Sequence, residues 1–313
     1  MDRKQRLYNR NIYATLGEST PYKQAGFAFT ATPFASFIVS ILFLFTLAFL
    51  GLGESFTQSD VYKYAVFLLP QVSTAIVLGV CLFWTKKPVK ELVKSQNCHF
   101  KYYIWAIVLQ IGLFALSWLN GVFLSLLGEV GYESPEIQLP SLNGFGIVGV
   151  LFVIAVLPAV FEEILFRGVL FNGLKCFGRV GSVLLCGALF SLFHQNPAQT
   201  PYQFLCGVAY ALVALKAGSV LPTIVAHFFN NALIIILTYA LGTNWQPTGL
   251  VLAVVFILSF VCLIVAAVYL LKKEKTEKPM PKNKQNQKEF WRYAVIGIVF
   301  CVISWLSVFF TGL

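Results

Sequence analysis

The chain has 313 residues, of which 58% are hydrophobic and only 12% charged, and it carries a formal net charge of +10. Its mean hydropathy of +0.76 excludes an ordinary soluble globular domain, in which charged residues make up about a quarter, and describes a membrane protein. Nucleic-acid binding is a poor explanation of the charge, because the basic residues flank apolar runs and no soluble domain presents them as a face. Membrane topology and attraction to anionic lipid account for it.

A membrane span needs about 20 consecutive apolar residues. Nine candidate segments follow in chain order: roughly 33–53, 64–84, 102–127, 145–166, 180–195, 202–216, 219–241, 249–271 and 294–312. The expected fold class is therefore all-α, a polytopic membrane bundle of about 8–9 transmembrane helices. The fifth and sixth segments are short, which predicts tilted, broken or re-entrant elements; "QNPAQTP" (195–201) between them is the candidate re-entrant loop. The first apolar run follows "MDRKQRLYNRNIYATLGESTPYKQ" without a small-residue cleavage pattern, so it reads as a retained span and not a signal peptide.

The basic residues give an orientation. Arg3, Lys4, Arg6, Arg10 and Lys23 precede span 1; Lys86, Lys87, Lys90, Lys94 and Lys101 lie between spans 2 and 3. Lys175 and Arg179 follow span 4, Lys216 follows span 6, and eight more fill "KKEKTEKPMPKNKQNQKEFWR". In a nine-span chain these segments share one side, while the opposite loops hold Lys63 with Glu54, Asp60, Glu129, Glu133 and Glu136. The positive-inside rule then expects a cytoplasmic N-terminus and an external C-terminus. Short loops and the lack of eukaryotic targeting signals point to a bacterial cytoplasmic membrane. The seven cysteines lie in spans or on the basic side, where disulfides are not expected, and no pair has zinc-site spacing.

Three blocks emerge: residues 1–140 with spans 1–3, 141–245 with spans 4–7, and 246–313 with spans 8–9 and the basic loop. The polar residues that need explaining fall in the middle block. "VLPAVFEEILFRGVLFNGL" (156–174) places Glu162, Glu163 and Arg167 in an apolar run, where a charge costs at least a few kcal/mol and usually marks function. Glu163 and Arg167 are four apart with the acid first, the favourable direction for an ion pair on one helix face. Glu162 points about 100° away, free to face a cavity. Pro158 removes a backbone hydrogen bond and can kink the helix, which a membrane tolerates only where protein or water supplies partners.

Of the three histidines, His99 sits in a loop without polar company and reads as a surface residue. His194 ends "ALFSLFH", and His227 lies in "IVAHFFNNALIIIL". His227 and Asn231 share one face about 6 Å apart; Asn230 is offset and reads as structural. Ser191 lies one turn before His194, but nothing else indicates a serine triad. A buried carboxylate helped by an imidazole can take a proton from water, and an uncharged histidine with an Asn amide can donate to the oxyanion of a tetrahedral intermediate.

Two other readings stay open. Glu162, His194 and His227 could form a zinc site of the His₂Glu type, although there is no H-E-x-x-H and Asn is a poor zinc ligand. The same cluster could serve a non-catalytic membrane protein, such as a bacteriocin-immunity factor, a scaffold or a transporter; polar residues confined to one block argue against transport.

"EEILFR", "FSLFH" and "HFFNN" resemble the EExxxR, FxxxH and HxxxN motifs of the CAAX-protease and bacteriocin-processing (CPBP) family, membrane glutamic endopeptidases related to type II CAAX prenyl endopeptidase. The resemblance covers about residues 145–240. It implies a helix bundle with its site in a cavity within the bilayer, Glu162 and His194 as the water-activating pair, and His227 and Asn231 as the oxyanion hole. Glu163 and Arg167 would be supporting residues, and no cofactor is implied. The partners it implies are membrane lipids and a peptide or lipidated-peptide substrate. One span beyond the family's eight-helix pattern, the C-terminal one, is left unexplained.

Overall fold

The computed structural model describes residues 20–85, 90, 95–135, 138–241, 248–272 and 280–313. Of the residues used for topology, Arg3, Lys4, Arg6, Arg10, Lys86, Lys87, Lys94, Glu136, Lys273, Lys275 and Lys278 lie outside the described residues. Among those described, every regular element is helical: α1 (Pro21–Phe49), α2 (Asp60–Thr85), α3 (Lys101–Glu129), α4 (146–174), α5 (Gly178–Phe193), α6 (Thr200–Ala217), α7 (Leu221–Leu241), α8 (Gly249–Leu271) and α9 (Lys284–Thr311). Each expected segment falls on one of these helices.

Seven helical runs among the described residues are long and apolar enough to cross a membrane, two fewer than the nine segments read from sequence. One reason is that α4 and α5 form a single 48-residue apolar run, Gly146–Phe193. It is redirected at Gly178, whose φ of 79° belongs to the region that glycine enters without a Cβ penalty. The two halves then pack antiparallel: Ser182 Oγ donates to Leu174 O at 2.7 Å, and the rings of Phe166 and Phe190 meet edge-on at 5.0 Å. The other reason is α6, which carries Tyr202, Gln203 and Lys216 within its 18 residues. At 1.5 Å per residue α5 and α6 are about 24 and 27 Å long, short of a hydrocarbon core of about 30 Å.

Helices α1 and α9 begin about three turns before their apolar runs. Side-chain caps start them early: Thr20 Oγ1 accepts from Lys23 N at 3.4 Å with Pro21 in the first turn, and Asn283 Oδ1 accepts from Asn286 N at 3.1 Å. The C-terminal helix is laid on α1, with Thr30 Oγ1 donating to Tyr293 O at 2.6 Å, Phe34 against Phe300 at 4.4 Å, and Glu289 taking both Thr20 Oγ1 (2.7 Å) and Lys23 Nζ (3.4 Å).

Contacts between helix ends define the two ends of the bundle. At one, Lys23 meets Glu289, Lys216 Nζ donates to Lys272 O, Asn283 N donates to Cys176 O, and Gln96 Nε2 donates to Gly218 O. At the other, Asp60 Oδ1 accepts from Ser141 N and Gly312 O accepts from Glu133 N. Among the residues in these contacts, Lys23, Lys216, Lys272 and Glu289 lie at the first end, and Asp60 and Glu133 at the second.

One buried cluster joins α1, α2, α4, α5 and α9 through Phe29, Leu78, Phe166, Leu170, Phe190 and Phe290; another joins α3, α6 and α8 through Leu109, Tyr210 and Leu270. In lipid such contacts stabilise by close packing and not by leaving water. The polar site lies where α4, α5, α6 and α7 meet.

Candidate active site

Arg167 is 1% exposed and is held on three sides. Its Nη1 donates to Glu163 Oε1 at 2.7 Å, its Nη2 to Gly207 O at 3.1 Å, and its guanidinium lies over the Phe190 ring at 4.4 Å. Gly207 allows this, since a Cβ there would meet Gly187 Cα at 2.7 Å; the close approach of α5 and α6 carries the Gly207 carbonyl to the guanidinium. Glu163 Oε1 is shared with His227 Nδ1 at 3.0 Å. A carboxylate accepts, so Nδ1 carries the proton of that bond and Nε2 is left facing away from Glu163.

The second pair sits nearer the surface. His194 caps the C-terminus of α5, and its Nδ1 donates to Phe190 O at 2.8 Å. The carbonyl fixes the tautomer, which leaves a lone pair on Nε2. That atom is 3.8 Å from Glu162 Oε2, which has no hydrogen-bond partner among the described residues. The two side chains are 11% and 18% exposed, whereas Glu163 and Arg167 are at 0%. Phe190 thus organises the site twice, through its carbonyl to His194 and through its ring to Arg167.

The turn after His194 is tightly tied. Gln195 has φ 50°, Asn196 Oδ1 accepts from Ala198 N at 2.9 Å, and Pro197–Gln199 form a single 3₁₀ turn. Ser191 Oγ donates to Thr200 O at 2.6 Å, Thr200 Oγ1 donates to Asn196 O at 3.0 Å, and Trp305 Nε1 on α9 donates to Thr200 Oγ1 at 2.8 Å. Ser191 is engaged in holding this turn.

Asn231 Nδ2 donates to Ile154 O at 3.1 Å. Pro158, four residues on, has no N–H for that carbonyl, and Asn231 reaches it instead. Ile154 lies in one of two π-helical stretches, Leu151–Val156 and Ile164–Leu170, that bracket the two glutamates; such widenings recur at functional sites. His99 is exposed and accepts from Lys101 N at 3.2 Å, away from this constellation.

Glu162, His194 and His227 are not drawn into one three-ligand cluster. His227 is turned to Glu163, and no three His, Cys, Asp or Glu side chains among the described residues gather closely enough to hold an ion. Two cavities adjoin the site. An apolar one of about 630 Å³, lined by Ser191, Thr200, Phe204, Val302 and Trp305, lies beside the His194 turn. A smaller cleft of about 130 Å³ runs from the basic end past Lys175, Asn172 and Ser219 to Arg167.

Sequence reasoning met Phe190 only within the FSLFH motif, without a role, and passed over Gly207 and Gln110, whose side chain lies on α3 and bonds Asn230. Gly207 acts through its carbonyl, which no residue pattern announces. Gln110 had a signal, a lone carboxamide inside "IWAIVLQIGLF".

Fold and site together define an all-α integral membrane protein with a buried, internally neutralised Glu–Arg–His cluster and a half-open Glu–His pair. Residues 144–233 match the family model described as Rce1-like, type II CAAX prenyl endopeptidase Rce1-like. That segment, which contains all six candidate side chains, is similar to a family of peptide-bond hydrolases. No curated protein and no solved structure gives a significant match.

Proposed function

We propose that the chain is an intramembrane glutamic endopeptidase that cleaves a peptide bond with water activated by Glu162 and His194. The observation that carries this reading is the pairing of Glu162 Oε2, buried and without a hydrogen-bond partner among the described residues, with His194 Nε2 at 3.8 Å. With the carboxylate ionised and the imidazole proton on Nδ1, both atoms are acceptors, so one water molecule can donate a hydrogen to each. As the water oxygen bonds to the peptide carbonyl carbon, its proton passes to Glu162; collapse of the tetrahedral intermediate breaks the C–N bond, and that proton leaves with the amine, with His194 as the relay.

The oxyanion falls to His227 and Asn231. Asn231 has a second Nδ2–H beyond the one given to Ile154 O. His227, held by Nδ1 on Glu163 Oε1, turns Nε2 away from that carboxylate, and a proton on Nε2 would be the second donor. Glu163 and Arg167 hold this arrangement without touching substrate.

The substrate is a peptide or a lipidated peptide, prenylated or not, with the apolar cavity beside the turn able to take a hydrophobic portion. Basic residues at the end of the bundle that holds Lys23 favour a cytoplasmic N-terminus, in a bacterial inner membrane or equally in an endoplasmic reticulum membrane. The test is cleavage of a quenched fluorescent peptide panel, with and without a C-terminal prenylated cysteine, by detergent-purified wild type and Glu162→Gln, each with and without chelator. Cleavage lost in the variant and indifferent to chelator is expected. Activity lost to chelator and restored by zinc would replace this reading with a metalloprotease, and a wild type inactive on every peptide would favour a non-catalytic role.

A further inference from the structure

A chain of neutral amides leads away from Asn231 and out of the family-matched segment. Tyr210 Oη donates to Gln110 Oε1, and Gln110, at 0% exposure, donates from Nε2 to Asn230 Oδ1 at 2.7 Å and to Tyr202 Oη at 3.2 Å. Tyr202 Oη also donates to Asn230 Oδ1, at 3.1 Å. Asn230 Nδ2 then donates to Asn231 Oδ1 at 3.0 Å, and Asn231 Nδ2 to Ile154 O at 3.1 Å.

The direction of this relay is fixed from its far end. A backbone carbonyl can only accept, so Asn231 must turn Nδ2 to Ile154 O and therefore Oδ1 to Asn230. Asn230 must then offer Nδ2 and turn its own Oδ1 toward α3, where only a donor can meet it. Gln110 supplies that donor, and the Tyr210 hydroxyl holds Gln110 from flipping. Inverting any one amide would set oxygen against oxygen in a dry interior, where an unmet polar group is costly.

We propose that Gln110 is a positioning residue that orients the Asn231 carboxamide, so that one Nδ2–H is spent on Ile154 O and the other is aimed at the reacting oxyanion. The inference rests on the reading of Asn231 as an oxyanion donor. Such donors act because they are oriented before the charge develops. Gln110 touches neither Glu162 nor His194, so its loss should scatter the aim of Asn231 and leave water activation and substrate binding in place.

The experiment is a double-mutant cycle in cleavage kinetics with wild type, Gln110→Met, Asn231→Ala and the double variant, with thermal midpoints measured in parallel. Gln110→Met should lower kcat by about tenfold or more, within the range for a lost oxyanion donor, with KM unchanged; in the Asn231→Ala background it should cost less than about twofold. Equal losses in both backgrounds would mark a purely structural role and overturn the proposal, as would full kcat in Gln110→Met beside an impaired Asn231→Ala. Full activity in Asn231→Ala would overturn the oxyanion assignment itself. If Gln110→Met does not fold, Tyr210→Phe, which keeps the ring over Arg167 (5.3 Å) and deletes only the hydroxyl, should give the same background-dependent loss.

Discussion

Replacing Arg167 by methionine tests whether the buried ion pair holds the site together. Arg167 and Glu163 side chains are both at 0% exposure and 2.7 Å apart, and the substitution leaves Glu163 with the single Nδ1–H of His227. Breaking a buried pair by removing one partner costs about 3–5 kcal/mol. The stack on Phe190 at 4.4 Å adds about 0.5–2 kcal/mol. At about 2–4 °C per kcal/mol the ion-pair loss alone lowers the melting midpoint by roughly 6–20 °C. A thiol-reactive dye can report melting in detergent, because Cys81, Cys176, Cys186, Cys206 and Cys301 carry buried thiols. The double variant Arg167→Met/Glu163→Leu, which removes both charges, should recover a large part of the loss, since replacing a whole buried pair by apolar groups is often neutral. A single variant melting within about 2 °C of wild type, or a double variant no better than the single, would refute the argument.

Glu162→Gln should lower kcat by about 10²–10⁴-fold, the usual worth of a general base, with an unchanged melting midpoint because Glu162 Oε2 has no hydrogen-bond partner among the described residues; full turnover would remove Glu162 from the role. Trp305→Phe deletes the bond to Thr200 Oγ1 and should cost about 1 kcal/mol of stability, together with part of kcat through the His194 turn. Gly207→Ala would set a Cβ 2.7 Å from Gly187 Cα and shift the carbonyl that Arg167 uses; both a lowered midpoint and slower cleavage are expected, and a variant equal to wild type in both assays would show that α5 and α6 can separate freely.

The sequence by itself determined that the chain is a membrane bundle of helices, because an apolar run in lipid has no partner for its backbone other than itself. It also determined that Glu163 pairs with Arg167, since a spacing of four with the acid first brings those groups together on any helix. Helix count was less legible: at Gly178 a single positive φ turns one apolar run into two packed halves, and hydropathy does not register a dihedral angle. The early starts of α1 and α9 escaped for a similar reason, as Thr20 and Asn283 cap helices whose first turns are polar.

Pairing across helices was decided only by the tertiary structure. Two glutamates and two histidines allow more than one match, and spacing along the chain cannot choose between them. Packing of α4 against α5 and α7 places Glu163 with His227 in the dry interior and Glu162 with His194 at the half-open edge. Two adjacent carboxylates on one helix thereby differ in company and exposure. The partner of Pro158's missing N–H and the link from α3 to Asn231 belong to the same class: Ile154 O and Gln110 meet their partners only because helices 77 and 120 residues apart in sequence lie side by side.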